Sequence, residues 1–412
     1  MSHLFRPIPT EELISASARH VSWKTEGFIR LLTDARNSGT VPAIVHTHPG
    51  GVAAFSDQDD ENEAKLARTV TLKGLPGLIS LVVGGDGQIA ARFWFDQSRF
   101  ELIDEVSEIG ARLRFRQTPG ASAVTQDALD RQARLFGDDF NRILSGLRIG
   151  IVGAGATGSA VNCLLTRLGV GHLLMVDRDR LEATNLNRVH GTGRSDVGTQ
   201  KVKLAERETI RAGLGVEFIG LEAWCGEPET RDALKSCDVI FGCTDDHSGR
   251  LFLNRLATYY GIPLIDVGLR MRNRGGERVD VTGRVSTLVT GHQCLLCQGV
   301  VDPKIAGEDA LRQRDPEAYA RLKDEAYIKG GGDPAPAVVT FTTEMACVAV
   351  NSLIDALTGY QGGQGMVARR IRRFHQNDDR VIEGATPMHC PLCGTGENRG
   401  LADQIPFLGM VR

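Results

Sequence analysis

Apolar positions along the chain change rhythm near residue 147, and two architectures follow from that change. Before it, helical and strand spacings alternate in short pieces. Residues 21–36 (VSWKTEGFIRLLTDAR) put Phe28, Leu31, Leu32 and Ala35 on one helical face. VPAIV is a short apolar strand running into His46, ENEAKLARTV has helical spacing, and GLISLVVGG and QIAARFWFD have the look of strands. The first ~100 residues therefore predict a small α+β unit. From Leu147 the strands become continuous apolar runs. LRIGIVGAG enters a glycine turn, residues 157–169 form a helix, and HLLMVD is a second strand. Residues 199–212 read as another helix, with CDVIFGCTDD and PLIDVGL as further strands. Apolar strands alternating with helices predict an α/β fold, its mostly parallel sheet covered by helices on both faces. The boundary falls in residues 101–125, where charge, Gly and Pro mix.

Composition narrows the class. With 412 residues the chain has room for two or three domains. A hydrophobic content of 42% and a charged content of 24% fit an ordinary globular core. A net charge of −3 gives no support to nucleic-acid binding, which usually calls for a basic patch. No apolar run reaches the length of a membrane span, so no membrane partner is expected. MSHLFRPIPTEE has no secretory pattern, which places the expectation in the cytoplasm. Nine cysteines are odd for a disulfide framework, and four of them form two CxxC pairs.

GAGATG at 153–158 supplies Gly153, Gly155 and Gly158 between a strand and a helix, where phosphate can approach backbone N–H groups. Asp177 ends the next strand about 20 residues on, where an acid can bind ribose hydroxyls. These features alone would suit a nicotinamide dehydrogenase. The following residues do not: VDRDRLEATNLNR (176–188), Gly198, Gln200 and Lys201, then CTDD at 243–246. In this order they resemble the ThiF/MoeB family, the adenylating fold shared with ubiquitin-activating enzymes, over roughly 127–398. Asp246 departs from it, where Asn more often stands. The resemblance implies a Rossmann-like domain using ATP and Mg²⁺. Asp177 would bind the ribose, with Asp179 and Asn185 part of the same site. Arg188 and Lys201 would face the phosphates, and Asp245 would hold Mg²⁺. LDRQARL at 129–135 resembles the family's segment before the first strand; Arg131 would then reach into a partner subunit's ATP site, implying a homodimer.

HQCLLCQG and MHCPLCGTG place Cys294, Cys297, Cys390 and Cys393 on two knuckles. Two such pairs make a closed structural Zn²⁺ site. A redox role is disfavoured because neither pair opens a predicted helix after a strand. Activating enzymes of the ubiquitin type often carry a thioester cysteine in the crossover region; residues 300–345 contain none. AYIKGGGDPAPAVVTF stands there, and Cys347 follows inside an apolar stretch that suits packing. Cys163, Cys225, Cys237 and Cys243 also sit in structural contexts.

Residues 46–59, HTHPGGVAAFSDQD, put two histidines at a strand end, on the same side by alternation. Two imidazoles and the Asp59 carboxylate make a Zn²⁺ set with room for water, and Ser56 could donate to a developing oxyanion. HxHP, then SxxD after a gap of seven residues from the second His, resembles the JAMM (JAB) metalloprotease family over roughly residues 1–100. That family uses a glutamate upstream of HxH. Glu11 and Glu12 are closer than expected and Glu26 falls in a helix, so the general base stays unassigned. The opening LFRPIP looks like the strand after a missing Glu-bearing one.

The expected organisation is a JAMM-like domain at 1–105, a linker at 106–126, a ThiF-type domain at 127–398 and a tail at 399–412. Together the resemblances imply adenylation of the C-terminal glycine of a ubiquitin-like protein, with a zinc-dependent processing domain acting on the same tail, in a bacterial conjugation pathway. A conjugating enzyme is a further partner in that setting. Sulfur-carrier activation for cofactor synthesis, and a non-catalytic JAMM binding module, are the alternatives.

Overall fold

The computed structural model describes residues 7–16, 21–48, 50–85, 87–117, 127–273, 275, 279–324, 336–384, 389–394 and 399–402. Contacts divide the chain into two compact units, residues 2–108 with 114–122, and residues 109–113 with 123–412.

In the smaller unit β1 (Leu13–Ala16) and β2 (Val21–Trp23) pair antiparallel. The first predicted helix starts later than its spacing suggested, as α1 (Thr25–Ser38), because β2 takes residues 21–23. It ends at Gly39, whose φ of 63° is the left-handed cap that glycine tolerates. Then follow β3 (Ala43–His48), α2 (Asp57–Leu72), β4 (Leu78–Gly84), β5 (Ile89–Trp94) and β6 (Phe100–Ile103). The sheet order is β3-β4-β5-β6, with only β3 and β4 parallel. Phe28, Leu32 and Ala35 of α1 close on Ala67 and Val70 of α2, with Leu78 and Trp94 beneath. Burial of each large side chain there contributes about 1.5–3 kcal/mol. A hairpin of β7 (Glu105–Ile109) and β8 (Leu113–Gln117) occupies part of the stretch read as linker.

The larger unit opens with α3 (Asp130–Phe136) and α4 (Asp138–Gly146). Its strands are β9 (Arg148–Val152), β10 (His172–Val176), β11 (Glu217–Leu221), β12 (Val239–Gly242), β13 (Leu264–Asn273), β14 (Val279–Leu288), β15 (Arg369–Arg373) and β16 (Asp378–Ile382). Between them run α5 (Ala156–Leu168), α6 (Lys201–Ala212), α7 (Pro228–Leu234), α8 (His247–Tyr260), α9 (Pro303–Arg314), α10 (Pro316–Asp324) and α11 (Val339–Thr358). Strand order is β11-β10-β9-β12-β13-β14-β15-β16. The first five are parallel and the last three antiparallel. β12 is buried at every position, as a strand with helices on both faces requires. The expected α/β fold is thus present, with an antiparallel wing on one side. Among the described residues no helix is long and apolar enough to cross a membrane.

Candidate functional site

β9 is the switch point of the parallel sheet: β10 pairs on one side and β12 on the other. The loops leaving the carboxyl ends of these three strands therefore meet at one edge, where open α/β sheets bind ligands. Gly153 sits in the left-handed region at φ 98°, and a Cβ there would stand 2.8 Å from the Cys243 carbonyl. Gly158 is packed still harder, with space for a Cβ taken by the Gly153 carbonyl. The glycines thus let β9, the start of α5 and the 243–246 loop approach one another. Asp177 joins this edge, accepting from Ala154 N over 2.6 Å and from Asp179 N over 2.7 Å. Burial pushes its carboxyl up, against the pull of Lys201. Lys201, at the start of α6, lies 2.9 Å from the exposed Asp179 carboxylate. A cavity of about 160 Å³ opens alongside, lined by Ala154, Ser159, Asn162, His190 and Lys201 among others.

The other predicted nucleotide residues are spread over flanking turns. Asn185 is buried and accepts from Glu182 N over 3.2 Å. Arg188 folds back onto the carbonyl of Thr184. Arg131 stands exposed on α3. In the CTDD loop the two acids divide the work. Asp245 is exposed, whereas Asp246 caps α8, accepting from Gly249 N over 2.5 Å and Ser248 Oγ over 2.7 Å. Aspartate and asparagine cap helices equally well, so this departure from the family pattern leaves the local structure intact.

In the smaller unit β3 carries His46 and His48, and the first turn of α2 carries Asp59. His46 Nε2 is 3.1 Å from Asp59 Oδ1, and His48 Nε2 is 3.3 Å from Oδ2. One ligand atom from each of the three lies within 4.8 Å of the others. His46 Nε2 is buried and makes no hydrogen bond among the described residues, as a metal ligand's lone pair should. Burial opposes ionisation of Asp59, but the Ser56 backbone N–H, the Ser56 hydroxyl and both imidazoles hold its carboxyl below the ordinary value. Two nitrogens and a carboxylate oxygen fit Zn²⁺ with an open position. Ser56 is the N-cap of α2 and forms a capping box with Asp59, so its hydroxyl already has a partner.

Glu12 does not join this trio: its carboxylate pairs with Arg30 and lies against Gly27 of α1. Glu26 is exposed on the first turn of α1, and Glu11 is exposed as well. Sequence reasoning missed two buried residues that hold α2 in place. Glu63 accepts from Arg92 Nε and Trp94 Nε1, both over 2.8 Å. Arg92 also reaches Asp60 and lies 3.8 Å over the Phe55 ring, so it grips both sides of Ser56. The signal was a lone arginine inside the apolar run QIAARFWFD.

The two cysteine knuckles come together. Sγ–Sγ distances are 3.7 Å for Cys294–Cys297 and Cys294–Cys390, and 3.6 Å for Cys297–Cys393. Four sulfurs ~2.3 Å from one tetrahedral ion would be ~3.8 Å apart, so the set fits Zn²⁺. Burial alone would raise the Cys390 thiol, but backbone N–H groups of Cys393 and Leu392 bring it down to about 7. Elsewhere burial pushes up the thiols of Cys225, Cys237, Cys243 and Cys347. Cys163 is exposed on α5. Much of AYIKGGGDPAPAVVTF lies outside the described residues.

A glycine loop, Asp177 and an acidic loop on the carboxyl edge of a parallel sheet define a doubly wound α/β protein. Residues 129–393 match the ThiF family and residues 2–97 match prokaryotic homologues of the JAB domain. The chain belongs to the ThiF family, with a JAB-type domain at its N-terminal side. It is 30% identical over 156 residues to the SAMP-activating enzyme E1 of Haloferax volcanii, covering 38% of this chain and 54% of that one. The chain thus spans about half the length of that relative. It is 28% identical over 278 residues to the sulfur carrier protein ThiS adenylyltransferase of Bacillus subtilis, covering 66% and 70%. It is 29% identical over 228 residues to the molybdopterin-synthase adenylyltransferase of Escherichia coli, covering 53% and 88%. Among solved structures, E. coli MccB with ATP is similar in fold, with a TM-score of 0.51 at 15% identity over 66% of this chain and 76% of that one.

Proposed function

We propose that this protein adenylates the C-terminal glycine of a small ubiquitin-like or sulfur-carrier protein. The convergence of Gly153–Gly158, Asp177, Lys201 and the Asp245 loop at one sheet edge carries the reading. In the reaction a carboxylate oxygen bonds to the α-phosphorus of ATP while the bond to pyrophosphate breaks. The protein's task is to neutralise charge and hold the groups in line. Asp177 binds the ribose. Arg188 and Lys201 turn to the phosphates, which requires each to leave its present partner, Thr184 O and Asp179. Asp245, exposed and uncommitted to capping, holds Mg²⁺, an ion that suits carboxylate and phosphate oxygens. Arg131 completes a second subunit's site in a cytoplasmic homodimer.

The N-terminal unit acts on the same glycine tail. His46, His48 and Asp59 would hold Zn²⁺, which would supply Lewis-acid activation for hydrolysis at that tail. Its general base is unassigned, because Glu12 is committed to Arg30; a tail-binding rather than tail-cutting unit is the second reading that this favours. The product's fate divides two settings. A lysine conjugate, made with a conjugating enzyme, marks a ubiquitin-like pathway, and a thiocarboxylate marks sulfur transfer. The deciding experiment is ATP–pyrophosphate exchange with a small ubiquitin-like or sulfur-carrier protein ending in Gly-Gly. Exchange should require that protein and vanish in Asp245→Ala; undiminished exchange in the variant overturns the assignment.

A further inference from the structure

Asp266 on β13 is completely buried and faces two arginines. Arg284 on β14 donates Nη2 to its Oδ1 over 2.6 Å, and Arg250 on α8 donates Nε to its Oδ2 over 3.4 Å. Arg250 spends its other nitrogens on backbone carbonyls, Nη1 on Asp245 and Nη2 on Val267, each over 3.3 Å. The residue proposed to hold Mg²⁺ is therefore tied by its own carbonyl to a buried ion cluster. Gly242 makes room for it: a Cβ there would stand 2.9 Å from Asp266 Oδ2.

The chain of contacts continues away from the nucleotide edge. Arg284 Nη1 donates to Ser286 Oγ over 2.7 Å, and Ser286 Oγ donates to Gln298 Oε1 over 2.6 Å. Gln298 directly follows Cys297, and its Nε2 donates to Gln293 O over 2.9 Å. α8 makes a second tie. One turn beyond Arg250, Asn254 Oδ1 accepts from Leu295 N, between the knuckle cysteines, over 2.9 Å. Loop and knuckle thus hang on one helix and on one buried polar chain. Such a chain is a poor source of stability, since desolvation offsets most of the attraction. It is a good source of fixed geometry, because every member must be satisfied at once.

We propose that Arg250, Asp266 and Arg284 are positioning residues for Asp245, and that Ser286 and Gln298 anchor them to the four-cysteine knuckle. The inference rests on the reading of Asp245 given above. The test measures ATP affinity of the full-length protein with and without Mg²⁺. Arg250→Lys and Gln298→Leu should each cut the affinity gained on adding Mg²⁺ by about fivefold, while Mg²⁺-free affinity stays within about twofold. The double variant should be no worse than the worse single one, since both break the same chain. Ser286→Ala replaces Gln298→Leu if that variant does not fold. A retained gain, an equal fall in both affinities, or fully additive losses would overturn the proposal. The outcomes separate cleanly. If Asp245→Ala keeps the Mg²⁺ gain, the reading of Asp245 fails and this inference with it. If Asp245→Ala loses the gain while Arg250→Lys and Gln298→Leu keep it, only this inference fails.

Discussion

Ser56 donates its hydroxyl to Asp59 Oδ2 over 2.7 Å, on the carboxylate whose two oxygens face His46 and His48. The cap of α2 is therefore also the outer support of the His46, His48 and Asp59 trio. Ser56→Ala should cost about 1 kcal/mol of stability through the lost cap. It should also weaken zinc at this site by about tenfold, because an unsupported ligand is free to turn away. Ser56→Thr should restore both. Competition with a chromophoric chelator reads the affinity, and unchanged affinity in Ser56→Ala would show that the capping box does no more than start a helix.

Glu63 and Arg92 should behave as a unit. Both side chains are only 2–3% exposed, so removing one strands the other. Glu63→Ala should cost about 3–5 kcal/mol, read as a lowered unfolding midpoint. Pairing it with Arg92→Leu should recover most of the loss, and a double variant as unstable as Glu63→Ala would contradict this.

At the knuckles, Cys390→Ser should release one zinc per chain by metal analysis. The same variant should melt roughly 5–10 °C lower, since closure holds residues 389–394 against 294–298. Unchanged zinc content would rule out a four-thiolate site.

Asp196 offers a pH-dependent test away from any metal. Its carboxyl accepts two bonds from Arg207, 2.7 and 2.9 Å long, and one of 2.8 Å from Gly193 N. The Arg207 bonds, then the Gly193 N–H, hold it down at about 2. A folded value below the unfolded ~3.9 means the contribution is complete above about pH 4 and fades as pH falls toward 2. The pair is largely exposed on the Arg207 side, so Asp196→Asn should cost only ~0.5–1 kcal/mol at pH 7. The gap between wild type and variant in urea midpoint should narrow below pH 4, and a gap independent of pH would refute the pairing.

Much of the fold was legible because apolar spacing records burial directly. β9, β10, β12 and β13 are runs that only a doubly covered sheet permits, and Gly153 and Gly158 announce the turn between β9 and α5. β15 was not legible. Its sequence is RRIRR, and three of its four arginines, Arg370, Arg372 and Arg373, are met by Asp379, Glu344 and Asp378. Those partners come from β16 and α11, so no pattern within the strand reveals them. The grouping of His46, His48 and Asp59 was visible by local spacing. Glu63 and Arg92, 29 residues apart, were not.

Sequence alone therefore determined which side chains the proposed chemistry draws on: the glycine loop, Asp177, Lys201, Asp245, two histidines and an aspartate, and four cysteines. Those choices are local, set by backbone geometry and ligand spacing. Only the tertiary structure decided what holds them. It brought Cys294 and Cys390 within 3.7 Å across 96 residues, gave Glu12 to Arg30, and buried Asp266 between Arg250 and Arg284. Buried charges must find partners wherever the fold supplies them, and that demand leaves no periodic trace along the chain.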